Sequence, residues 1–125
     1  IGLAQLEKID KFIDIKRKNA LLYNSILKDV SGVVLPIEKE WAKNVYWMYS
    51  ILVENRDLFM NKLNDNEIDS RPFFYPLHVL PPYKRDGDFN VSTAISKKGL
   101  NLPSSVKLKE TEVEMIGSKI KEILK

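Results

Sequence analysis

The stretch Val45-Tyr-Trp-Met-Tyr-Ser-Ile-Leu-Val-Glu54 is dense in aromatic and β-branched residues and contains neither glycine nor proline. Such side chains keep more freedom on a pleated strand than in a helix, and they pack well there. The stretch is apolar on both faces over much of its length, which predicts a central strand covered on both sides. Tyr46, Trp47 and Tyr49 are accordingly read as core packing in preference to a ligand role.

Upstream of this strand, apolar residues stand at Leu3, Leu6, Ile9, Ile13, Ala20, Tyr23, Leu27 and Val30. Their spacing is three or four, apart from a basic interruption at Lys16-Arg17-Lys18, and it predicts one long helix closed by Ser31-Gly32. At ~3.6 residues per turn that helix runs about seven turns, longer than a small domain usually holds, so a partner domain or subunit is expected over part of it. Val33-Val34-Leu35 reads as a short strand stopped by Pro36, and Glu38 to Lys43 as a polar connector carrying Trp41.

Downstream, Asn55 is the expected cap of a helix of about ten residues with Leu58, Phe59 and Leu63 facing inward, broken by Asn64-Asp65-Asn66. Glu67-Ile68-Asp69-Ser70 leads into another strand. Lys84 to Asp88 is a polar turn. Asn90 is the expected cap of a helix through Lys98, closed by Gly99. Leu100 to Pro103 returns as a brief strand, and Val113, Ile116, Ile120 and Leu124 stripe a last helix. Lys109 stands where Ser, Thr or Asp is favoured, which predicts a frayed first turn. The order implies a single α+β domain over residues 1–125, a small, mainly antiparallel sheet packed with helices.

Between the third strand and the polar turn lies Asp69-Ser-Arg-Pro-Phe-Phe-Tyr-Pro-Leu-His-Val-Leu-Pro-Pro-Tyr83, with four of the six prolines and the only histidine. Each proline fixes its own φ and pushes the preceding residue toward extended geometry, so a stiff extended loop is expected, neither helix nor central strand. It presents Arg71, Phe74, Tyr75 and His78 in set directions. Two readings stand side by side: a functional loop, or a connector whose aromatics cap the core.

Composition narrows the chemistry. The chain has no cysteine, so disulfides, thiolate nucleophiles and cysteine-ligated zinc are excluded, and one histidine makes a poor metal centre. Net charge is +3 with both signs interleaved, and no basic stripe marks a nucleic-acid footprint. No apolar run approaches the ~20 residues of a membrane span, so neither nucleic acid nor membrane is an expected partner and the cytoplasm is the expected location. The chain opens without methionine inside an amphipathic pattern, which suggests a fragment or processed product. Ser70, Ser92, Ser104 and Ser105 lack a nucleophile-elbow context, and the glycines are too scattered to cradle a phosphate. No catalytic residue is assigned. Arg71 is the best ligand-binding candidate, for a phosphate or carboxylate; an ion pair with Asp69 is the competing reading.

Taken end to end, Ile1 to Asp10, Trp41-Ala-Lys-Asn-Val-Tyr-Trp-Met-Tyr49, Val53-Glu-Asn-Arg-Asp57, Ser70-Arg-Pro-Phe-Phe-Tyr-Pro-Leu-His78, Pro81-Pro-Tyr83 and Gly99-Leu-Asn-Leu-Pro-Ser-Ser105 resemble, in order, the small domain of the DegT/DnrJ/StrS sugar aminotransferases. The Arg-Pro-Phe-Phe-Tyr-Pro form is similar to that of perosamine synthetases, which aminate a GDP-linked 4-keto-6-deoxymannose. The resemblance implies the C-terminal domain of a fold-type I transferase dependent on pyridoxal 5'-phosphate. The Schiff-base lysine and most cofactor contacts would then lie in a large domain upstream of Ile1, and this chain alone would be inactive. It further implies a homodimer, a nucleotide-sugar substrate, an amino donor such as glutamate, and substrate contacts at Arg71, Phe74, Tyr75 and His78. Lys109 departs from the family's threonine or serine cap. A stand-alone protein-interaction module without catalysis is the alternative.

Overall fold

A computed structural model describes all of residues 1–125. Its helices are α1 (Gly2–Leu6), α2 (Ile9–Leu27), α3 (Arg56–Asn64), α4 (Asn90–Lys98) and α5 (Glu110–Ile123). Its strands are β1 (Val33–Val34), β2 (Tyr49–Val53), β3 (Arg71–Pro72) and β4 (Gly99–Leu102). They form one sheet in the order β1-β2-β4-β3, every pair antiparallel. The α+β architecture matches the expectation.

Register divides the sheet into two faces. Tyr49 lies opposite Leu102 and Ile51 opposite Leu100, so these four side chains share one face and are buried there with Val53. Helices α2 and α5 cover that face. Ala20, Tyr23 and Leu27 of α2 and Val113, Ile116 and Ile120 of α5 complete the core. The rings of Tyr23 and Tyr49 stack at 4.6 Å. Both hydroxyls are satisfied, Tyr23 donating to the Pro103 carbonyl at 3.1 Å and Tyr49 to Asn24 Oδ1 at 2.7 Å. Burial pushes both phenols above their usual pKa. Helices α2 and α5 approach closely at Gly117, where a Cβ would stand 2.7 Å from Ile26 Cγ2. Any larger residue there separates the two helices.

The second face carries Ser50, Leu52, Gly99, Asn101 and Arg71, by alternation from the same register. Ser50 and Leu52 are half-buried, so β2 is covered fully on one side only. The expected strand from Val45 begins four residues later. Tyr46 has φ +48°, and its N–H is taken by Asn44 Oδ1 at 2.8 Å, a local turn that competes with the ladder. Trp47 is 68% exposed and is no core residue, whereas Tyr46 and Tyr49 are buried as expected.

The other departures have local causes. The long first helix is two helices interrupted at Glu7-Lys8. Nothing buries α1, whose Leu3 and Leu6 are exposed, so no packing enforces continuity. Leu58 is also exposed, because α3 buries the i, i+4 pair Phe59 and Leu63. Neither Asn55 nor Asn90 caps through its side chain; Asp88 Oδ1 accepts the Asn90 N–H instead at 3.1 Å. Gly99 is extended at φ −78° and opens β4. Its glycine requirement is spatial, since a Cβ would fall on the Phe73 ring. The expected fraying at Lys109 is offset by Glu112, whose Oε2 accepts the Lys109 N–H at 2.7 Å.

The connector before β2 is held from α2. Arg17 donates to both Glu38 carboxylate oxygens at 2.9 and 3.2 Å and to the Asn44 carbonyl at 2.6 Å. Glu38 also accepts the Asn44 N–H at 3.1 Å. The Arg17 hydrogen bond, above all, holds the Glu38 carboxyl below its ordinary pKa. A carboxyl whose folded pKa is depressed stabilises the fold above its unfolded pKa, and that contribution is lost as pH falls through the folded value. Wild type should therefore melt above Glu38→Gln at neutral pH, with the gap closing as pH falls through and below the ordinary carboxyl range. A pH-independent gap between their melting temperatures would contradict the assignment.

Candidate functional site

The proline-rich segment turns out to combine an edge strand with two tight turns. Pro72 lies in β3, at the sheet edge where a residue without an N–H is tolerated. Leu77–Val79 and Pro81–Tyr83 are single 3-10 turns, where the extended loop was expected. Pro76 and Pro81 stand at their starts, positions that need no donor. Helix α4 anchors the segment: Ser96 Oγ donates to the Phe74 carbonyl at 3.0 Å, and Arg56 Nη1 donates to the Ser96 carbonyl at 2.7 Å.

The structure places Phe74, Tyr75 and His78 at three separate depressions and Arg71 beside the first. Phe74, 75% exposed, borders a cleft of about 470 Å³ shared with Trp47, Ser50 and Asn101. Arg71 is the cross-strand neighbour of Asn101, so it stands on the same sheet face, beside that cleft. Its only ion pair is with Asp69 at 4.0 Å, with both side chains about four-fifths exposed. Such a surface pair contributes at most about 1 kcal/mol, so it leaves the guanidinium available. Tyr75 lines a second depression of about 290 Å³ with Arg56, Thr93 and Lys97.

His78 belongs to a third, of about 650 Å³, with Tyr83, Lys84, Arg85 and Phe89. Its ring stacks on Phe89 at 4.4 Å, and its Nε2 lies 3.4 Å from Thr93 Oγ1. The Arg85 guanidinium sits over the same Phe89 ring at 4.9 Å. This third depression is basic and aromatic; the first carries no charged residue among its lining side chains. Sequence reasoning missed Trp47, Asn101, Arg85 and Phe89. Asn101 had a signal, a lone polar residue between Leu100 and Leu102, whose alternation sends it to the opposite face from the core.

Residues 1–121 match the model of the DegT/DnrJ/EryC1/StrS aminotransferase family. The chain belongs to that family. Among its relatives, GDP-perosamine synthase of Vibrio cholerae is 39% identical over 97% of this chain and 35% of its own length. GDP-perosamine synthase of Escherichia coli O157:H7 is likewise 39% identical, over 98% of this chain and 34% of its own. The solved DegT/DnrJ/EryC1/StrS aminotransferase of Brucella abortus superposes with a TM-score of 0.88 at 28% identity, again over 98% of this chain and 34% of that one. The chain thus spans about a third of the length of the relatives it matches. Members of the family are expected to use pyridoxal phosphate. The one lysine whose pKa is lowered by burial, Lys16, is committed to the carbonyls of Trp47 and Ser104 at 3.0 and 2.7 Å. It lines none of the three depressions. No helix is long and apolar enough to cross a membrane.

Proposed function

We propose that this chain is the C-terminal small domain of a cytoplasmic, homodimeric nucleotide-sugar aminotransferase. The enzyme transfers an amino group from glutamate to a nucleotide-linked 4-keto-6-deoxy sugar. The observation that carries the reading is the placement of Arg71 opposite Asn101, on the open sheet face beside the cleft that Phe74 lines, in a chain of this family. Pyridoxal phosphate and its lysine belong to a large domain outside these residues, so the fragment alone is inactive. Its own work is binding and positioning. Arg71 holds an anionic group of the substrate through its forked donors, Phe74 and Tyr75 shape the sugar-nucleotide wall and exclude water, and His78 braces the basic depression through Phe89.

The test is steady-state kinetics of the full-length enzyme. A charge-assisted hydrogen bond is worth about 1.5–3 kcal/mol, so Arg71→Ala should raise KM for the nucleotide sugar roughly tenfold to a hundredfold. His78→Ala should act in the same direction more weakly. Cofactor absorbance should be unchanged in both. Wild-type kinetics in both variants would refute the assignment of this loop to substrate.

A further inference from the structure

We propose that the cleft between Trp47 and Phe74 seats the pyranose ring itself, stacked on Trp47 and hydrogen-bonded by Asn101, while the anionic part of the ligand lies outside the cleft, at Arg71 beside it. This rests on the nucleotide-sugar reading above and adds residues that reading did not assign. Three observations support it.

The first is chemical. Eight residues line this cleft of about 470 Å³ and none is charged, so nothing in it selects a diphosphate. The cations Lys84 and Arg85 line the separate 650 Å³ depression. A pyranose has an apolar C–H face and a polar rim; a 6-deoxy sugar adds a methyl group. Two exposed aromatics, Trp47 at 68% and Phe74 at 75%, with Met48 beside them, provide apolar walls for the former. The second observation concerns the floor. Ser50 Oγ donates to Asn101 Oδ1 at 2.7 Å, which fixes the amide and leaves its NH2 group without a partner in the chain, free to donate to a ligand hydroxyl.

The third is preorganisation. The Trp47 carbonyl is held by Lys16 at 3.0 Å, and the preceding turn by the Arg17–Glu38–Asn44 cluster. Tyr46, adjacent to Trp47, is kept at φ +48°, a conformation that costs free energy and persists only where surroundings impose it. The strained turn immediately precedes an indole that is 68% exposed. A ring that stacks on it explains the placement.

The experiment uses the full-length enzyme and two probes, the nucleotide-linked 4-keto-6-deoxy sugar and the nucleoside diphosphate alone. Trp47→Ala and Asn101→Ala should each raise KM for the sugar nucleotide about tenfold, with the inhibition constant of the bare diphosphate unchanged. Trp47→Phe should restore KM to within about twofold of wild type. Unchanged KM, or KM and the diphosphate constant rising together, overturns the proposal. So does a change of oligomeric state in Trp47→Ala, which would mean that another copy or domain covers the indole. A wild-type enzyme that aminates no nucleotide keto-sugar sinks the parent reading; an active wild type with unaltered Trp47→Ala kinetics sinks only the sugar seat.

Discussion

Replacing Tyr23 by alanine should lower the unfolding free energy by about 3–5 kcal/mol, the range for deleting a buried aromatic ring. Tyr23 has no exposed surface and is among the largest fully buried side chains. Its ring covers Tyr49 of the central strand, so truncation opens a cavity where α2 meets the sheet. Its hydroxyl is the donor to the Pro103 carbonyl at the end of β4. Tyr23→Phe separates the two contributions: it keeps the ring and removes one hydrogen bond, costing about 1 kcal/mol. Denaturant unfolding of the three proteins measures both steps. A loss below about 1.5 kcal/mol for Tyr23→Ala would mean that the α2–sheet contact is not where the stability resides.

The second large effect is expected at Gly99, where the added methyl group of Gly99→Ala collides with the Phe73 ring. The ring cannot step aside freely, because the Phe73 N–H is bonded to the Gly99 carbonyl at 3.0 Å. Overpacking of this kind costs about 1–3 kcal/mol, and here the relief lies in displacing residues 71–75, the segment that carries Arg71 and Phe74. Gly99→Ala should therefore lose stability and also weaken use of the sugar nucleotide. Phe73→Leu in the same background should recover part of both, since the two sites are in contact and non-additive. Equal losses in the single and double variants would show that the clash is not the cause.

Much of this fold was legible because strand composition and helical spacing both follow from burial, although β2 was expected to be covered on both faces and is fully buried on one. Ile51, Leu100 and Leu102 on strands and Val113, Ile116 and Ile120 on α5 fell where the pattern put them. The failures share a physical origin. Val45 to Met48 has strand composition, yet Asn44 and the Arg17–Glu38 pair, distant in sequence, bend it into a turn. The continuous stripe Leu3–Leu6–Ile9 reads as one helix, but its first part buries no residue in this chain, and burial alone would have kept it straight. Gly99 looked like a helix cap; a neighbour 26 positions upstream, Phe73, supplies the reason for glycine.

For the candidate site, the motif was visible and its division was not. Sequence order places Arg71, Phe74, Tyr75 and His78 on one short loop, which invites a single site. Two 3-10 turns between Pro76 and Tyr83 redirect the chain, so that His78 joins Phe89 and Arg85 while Phe74 joins Trp47. Such pairings depend on tertiary packing against α4 and β4, and no local propensity encodes them.

The most direct test of the central claim is incubation of the full-length enzyme with glutamate and a GDP-linked 4-keto-6-deoxy sugar, with the products read by mass spectrometry. The account predicts a glutamate-dependent 4-amino-6-deoxy sugar nucleotide, formed more slowly at limiting substrate when Arg71 is alanine. No aminated product from any nucleotide keto-sugar, with pyridoxal phosphate bound and the fold intact, would contradict it. This α+β unit would then have to be understood as an interaction module on an aminotransferase-like frame.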